Sequence, residues 1–176
     1  NGKTLTEDEF KDIIVYGEEE GLIDGEESDI IQAAVDFNDI TVKSILTPKE
    51  KIVALDYNKL SKNEILKSID NIKFSRLPVY AKNYDNIIGI LNIRKFLKLA
   101  INSKKFALKQ SISDVIKVLD TTSLNEMIEI FKNKKNHMAI VYNDANELVG
   151  LVTMEDVLEE LVGETKKELA IKGGNK

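Results

Sequence analysis

Apolar positions along the chain change their period several times, and the changes repeat. Residues 77–80 and 139–142 read as short buried strands. Each is followed by a polar turn, at 82–86 or 143–146, and then a second apolar run at 87–91 or 148–152. The turns hold the Asn and Asp residues that tolerate tight backbone bends. An amphipathic helix precedes each hairpin. Ile65, Leu66 and Ile69 take helical spacing within 64–72, as do Met127, Ile128 and Phe131 within 125–133. A further helix follows each second strand.

These two stretches are copies. Residues 75–97 align without gaps on 136–158, so that Gly89 matches Gly150, Asn92 matches Thr153 and Lys95 matches Asp156. The preceding helices match through Ser61, Asn63 and Glu64 against Ser123, Asn125 and Glu126. Each copy therefore reads β-α-β-β-α, over 41–101 and 111–164. One copy alone leaves a sheet face uncovered, whereas two bury those faces against each other. The expected fold class is α+β: a pseudo-two-fold pair of repeats preceded by an acidic helical segment.

That segment, residues 1–40, carries 13 acidic and 2 basic side chains, against 17 and 23 in the remainder. Within it, Thr6 and Glu9 form a capping box. Phe10, Ile13 and Ile14 make a narrow apolar stripe, Gly21 and Gly25 punctuate, and Ile30, Ile31, Ala34 and Val35 mark a second helix over 28–37. Residues 165–176 read as a tail leading toward a missing C-terminal domain.

Composition excludes several function classes. With no Cys and a single His, neither a disulfide framework nor a thiolate metal site is available, and no metal-ligand set is predicted. No nucleophile–base set suggests itself either, so an enzyme is not expected. The excess of lysine lacks the interleaved aromatics of a nucleic-acid surface. No apolar run approaches the ~18 residues of a membrane span.

One heptad carries candidate chemistry: Gly150-Leu151-Val152-Thr153-Met154-Glu155-Asp156. A strand ends at Val152 and a helix begins at once, with Thr153 at its N-cap. Helix N-termini offer N–H donors and partial positive charge, which suit phosphate. Asp156, one turn in, offers an acceptor for the hydroxyls of a ribose. Gly150 lets another group come close to the backbone. The same Thr-x-x-Asp is equally a plain capping pair.

The duplicated hairpin-then-helix unit closing on that heptad resembles the CBS domain family, over about 41–164. More narrowly the chain resembles the cytoplasmic part of the hemolysin-C-like (CorC) magnesium and cobalt efflux proteins, relatives of the cyclin-M-type transporters. The residues carrying this are Glu20-Gly21-Leu22-Ile23, Ala34-Val35-Asp36-Phe37, Val42-Lys43-Ser44-Ile45-Leu46-Thr47-Pro48, Ser75-Arg76-Leu77-Pro78-Val79-Tyr80, and the stretch from Val152 to Glu164. The resemblance implies a regulatory module for ATP or AMP, with Mg2+ accompanying the triphosphate. It also implies a transmembrane domain in the same full-length chain and a place on the cytoplasmic face of the cell membrane. Carried over residue by residue, Thr153 and Asp156 contact phosphate and ribose, and Thr47 and Arg76 approach the same ligand. Read alone, Thr47 is a turn residue before proline and Arg76 a surface charge.

The first repeat departs from the pattern. Asn92 still caps a helix, but Lys95 cannot accept from ribose hydroxyls, and Arg76 is answered by His137. One competent nucleotide site and one degenerate site (Asn92, Lys95, His137) are therefore expected. Val157, Leu158 and Leu161, with Phe96, Leu97 and Leu99 in the first copy, suggest a homodimer through the helices after each hairpin. Two rival readings remain open. One is a dimerisation or interaction module that has lost its ligand; the other is a CBS pair regulating a soluble enzyme.

Overall fold

The computed structural model describes residues 7–27, 40–69, 74–102, 108–134 and 136–173. Thr6 and the helix expected over 28–37 lie outside them. The elements are helix α1 (Glu7–Glu19), strands β1 (Thr47–Pro48) and β2 (Leu55–Asp56), helix α2 (Lys62–Ile69), strands β3 (Arg76–Tyr80) and β4 (Ile87–Asn92), and helix α3 (Ile93–Asn102). The second half follows with β5 (Ile112–Ser113), β6 (Ile116–Leu119), α4 (Leu124–Lys134), β7 (Met138–Tyr142), β8 (Leu148–Thr153) and α5 (Met154–Gly173). Helix α5 runs on past Glu164.

Two four-stranded sheets form, in the orders β2-β3-β4-β5 and β1-β8-β7-β6. Alternation along the strands explains how they stack, because successive side chains point to opposite faces. In β7, Met138, Ile140 and Tyr142 face a cluster shared with Ile87 and Ile90 of the other sheet. Ala139 and Val141 face the cluster built with α4 and α5. Leu77, Val79 and Leu91 likewise face α2 and α3, around Ile65 and Phe96. The result is helices, sheet, sheet, helices, with the two repeats joined through their sheets as the α+β reading expects.

The edge strands are exchanged between repeats. β1, which precedes the first hairpin, pairs with β8 of the second repeat, and β5, which precedes the second hairpin, pairs with β4 of the first. Thr47 was expected in a turn after a first strand. It lies instead within a strand, where Pro48, lacking an N–H, is tolerated because β1 is the sheet's edge. The matched glycines make room for these visitors. A Cβ on Gly150 would sit 2.3 Å from the Thr47 carbonyl oxygen, and one on Gly89 would sit 2.4 Å from Ile112 Cγ2. The group that Gly150 admits is thus backbone of the same chain.

Helix α1 ends in a Schellman turn. Gly21 at φ +70° sends its N–H to the Glu18 carbonyl, and the Leu22 N–H reaches Gly17. Its Ile13 and Ile14 pack into the cluster of α4 and α5 together with Val157, Leu158 and Leu161. Val157, Leu158 and Leu161, one half of the stripe expected to face a second copy, are therefore buried within one chain, and Phe96 and Leu97 of the other half pack in the first repeat's own cluster. Among the described residues, no helix is long and apolar enough to cross a membrane.

Candidate nucleotide site

The site forms where both hairpins start and both following helices begin. Arg76, first residue of β3, pairs with Asn92, last of β4. Met138, first of β7, pairs with Thr153, last of β8. Each helix start is tied back to the entry of its own hairpin: the Ile93 N–H donates to the Ser75 carbonyl at 3.0 Å and the Met154 N–H to that of His137 at 2.9 Å.

At the head of α5 the cap is reciprocal. The Asp156 N–H donates to Thr153 Oγ1 (3.2 Å), and the Thr153 N–H donates to Asp156 Oδ2 (3.1 Å). This is the capping pair that the heptad allows by itself. Capability for a ligand remains: the Thr153 hydroxyl keeps its own hydrogen to donate, and a carboxylate has about four lone-pair sites, of which one is used here. At the head of α3 only half the arrangement is present, the Lys95 N–H donating to Asn92 Oδ1 at 2.9 Å.

Two cavities open here. The first, of about 240 Å³, is lined by Phe74, Ser75, Arg76, His137, Met138, Thr153 and Glu155. Arg76 and Thr153, from different repeats, thus meet in one cavity. Asp156 stands behind Thr153 through the cap, outside the lining. Thr47 also lies outside it, opposite Leu151 in the adjoining strand pair. The second cavity, of about 360 Å³, brings Asn92, Lys95 and His137 together, again with Arg76, and adds Ser113, Asp114 and Lys134. Ser113 opposite Ile90 holds the register position that Thr47 holds opposite Leu151.

Sequence reasoning missed Ser113, Asp114 and Lys134 of the second cavity, and three contributors beside the first. Phe74 is 55% exposed at the first cavity, an apolar wall beside a cation. An aromatic left in solvent next to Ser75-Arg76 was a signal that could have been read. Tyr16 follows Ile13 by three residues on α1, and its hydroxyl lies 3.0 Å from His137 Nε2, with Glu20 Oε2 at 3.6 Å from the same nitrogen. Only the fold shows that α1 ends against this wall. Burial, and then the neighbouring Arg76 charge, hold His137 below its ordinary value, with Glu20 opposing; burial and then Glu20 raise Tyr16. Arg76, Lys95 and Lys134 are the basic side chains lining these cavities, and His137, held below its ordinary value, is mostly uncharged at neutral pH.

Comparison with known proteins agrees with this architecture. A family model described as the CBS domain matches residues 109–163. The chain is 28% identical over 168 residues to the magnesium and cobalt efflux protein CorC of Vibrio cholerae, covering 95% of this chain and 57% of that protein. It spans 38% of a related protein of Bacillus subtilis, UPF0053 protein YhdP, at 30% identity. The curated relatives are thus considerably longer than this chain. Among solved structures, the CBS domain of a putative transporter from Clostridium difficile 630 is 31% identical, with a TM-score of 0.63 over 70% of this chain and 95% of that one. The CBS domain of a bacterial CNNM/CorC family Mg2+ transporter, solved in complex with ATP, is 26% identical, with a TM-score of 0.67 over 78% and 98%. A CBS-domain pair from Klebsiella pneumoniae was solved with AMP, at 25% identity and a TM-score of 0.63 over 70% and 99%. The repeated β-α-β-β-α units, the exchanged edge strands and these matches together make the chain a CBS-domain pair of the CorC family.

Proposed function

We propose that this chain is a non-enzymatic regulatory module that senses an adenine nucleotide for a membrane transporter of the magnesium and cobalt efflux type, at the membrane's cytoplasmic face. The observation that carries the reading is the first cavity, where Arg76 of one repeat faces the Thr153 end of β8 and α5 from the other. A guanidinium suits phosphate oxygens, the Thr153 hydroxyl donates to them, Asp156 accepts from ribose, and Phe74 offers a face for the base. Thr47, on the strand beside β8, would close the same ligand's side. The ATP and AMP complexes of related CBS domains support the choice of ligand. Magnesium would enter on the oxygens of a triphosphate.

The reciprocal cap favours a second reading, in which Thr153 and Asp156 only hold α5 and the module is an interaction domain. Calorimetry with ATP, AMP and adenosine separates the two. Asp156→Ala should weaken nucleotide binding by about 1–3 kcal/mol, the scale of a hydrogen bond to a charged group, and Arg76→Ala should cost ATP more than adenosine. Unchanged affinity in Asp156→Ala, with only a lower melting temperature, would favour the interaction domain.

A further inference from the structure

Resting on the nucleotide reading above, we infer that the second cavity is the berth for the distal phosphates of the same nucleotide, so that Lys95 and Lys134 select ATP over AMP. The two cavities share a wall, since Arg76 and His137 line both. At about 240 Å³ the first lies below the ~300 Å³ at which sites for drug-sized ligands begin, while the second adds about 360 Å³ directly across Arg76. A base against Phe74 and a ribose toward Asp156 place their first phosphate between Thr153 and Arg76, and a longer chain of phosphates has its open path past Arg76 into the second cavity.

The charge there is of the right sign. Arg76, Lys95 and Lys134 face a single carboxylate, Asp114. Among the described residues, neither lysine has an ion-pair partner. Helix α3 supplies an independent indication. Its first turn has no acidic residue and holds Arg94 and Lys95, whereas the first turn of α5 holds Glu155 and Asp156. Cations at the positive end of a helix dipole are unfavourable unless an anion joins them. Lys95 in place of an aspartate therefore replaces a ribose acceptor with a phosphate partner, and the second cleft is an extension of the first site rather than its failed copy.

The test titrates AMP, ADP, ATP and inorganic tripolyphosphate into the wild-type chain and into Lys95→Gln/Lys134→Gln. The double variant should lose about tenfold in ATP affinity, less for ADP, and stay within about twofold for AMP, a spread set by losing two partly solvated charge partners. Retained AMP binding also certifies that the variant folds. Equal losses for AMP and ATP, or none, would overturn the inference while leaving the nucleotide site standing. Tripolyphosphate binding alongside ATP, without competition, would overturn it too, by showing a separate anion site. Failure of the wild-type chain to bind any adenine nucleotide would remove the nucleotide reading itself and this inference with it.

Discussion

His137 shows how one residue joins three parts of the molecule. Its ring meets Tyr16 and Glu20 of the α1 end, its charge is opposed by Arg76, and its carbonyl holds the first amide of α5. The unfolded chain takes up a proton near the ordinary histidine value of 6.5, and the folded chain only at lower pH. Between those values the unfolded state binds more protons, so stability falls as pH drops. The stabilisation is complete above 6.5 and is lost as pH falls toward the folded value. Urea midpoints at pH 7.5 and 5.5 should differ less in His137→Gln than in the wild-type chain; an equal difference would mean that other groups carry the effect. The sequence offered His137 only as the counterpart of Arg76. Its partly buried setting against α1 rests on long-range contacts, that with Tyr16 121 residues apart, and no local pattern encodes them.

At the scale of elements, the hairpins and their flanking helices were readable because the apolar period switches from two to 3.6 at turn residues. The two-residue strands β1 and β5 were not, since a pair of residues has no period. Their exchange between sheets is recorded in sequence only by Gly89 and Gly150, whose meaning needs the partner strand. Gly150→Ala should destabilise by roughly 1–3 kcal/mol, the cost of overpacking, because the Cβ meets backbone at Thr47 as well as Leu46. Gly89→Ala meets the Ile112 side chain first, with the Ser113 carbonyl oxygen at 3.0 Å, and should cost less. Gly163→Ala, in α5 with nothing within 4 Å, should stabilise by up to about 1 kcal/mol through helix propensity. Denaturant unfolding of the three variants checks this order; a neutral Gly150→Ala would mean that β1 is not held against β8.

For the molecule as a whole, the repeat offset foresaw the pairing of two repeats, and Arg76 and Thr153, from different repeats, line one cavity. It did not foresee that both clefts share Arg76 and His137, because that depends on the angle at which the sheets pack. The two helix heads differ, one carrying the Thr153/Asp156 cap and the other Lys95, and in the proposed reading both address one ligand. The most direct measurement is the stoichiometry of ATP binding to the unmodified chain by calorimetry. The account predicts one nucleotide per chain, with binding weakened by Arg76→Ala. Two equivalent sites per chain, or one site indifferent to Arg76, would contradict it.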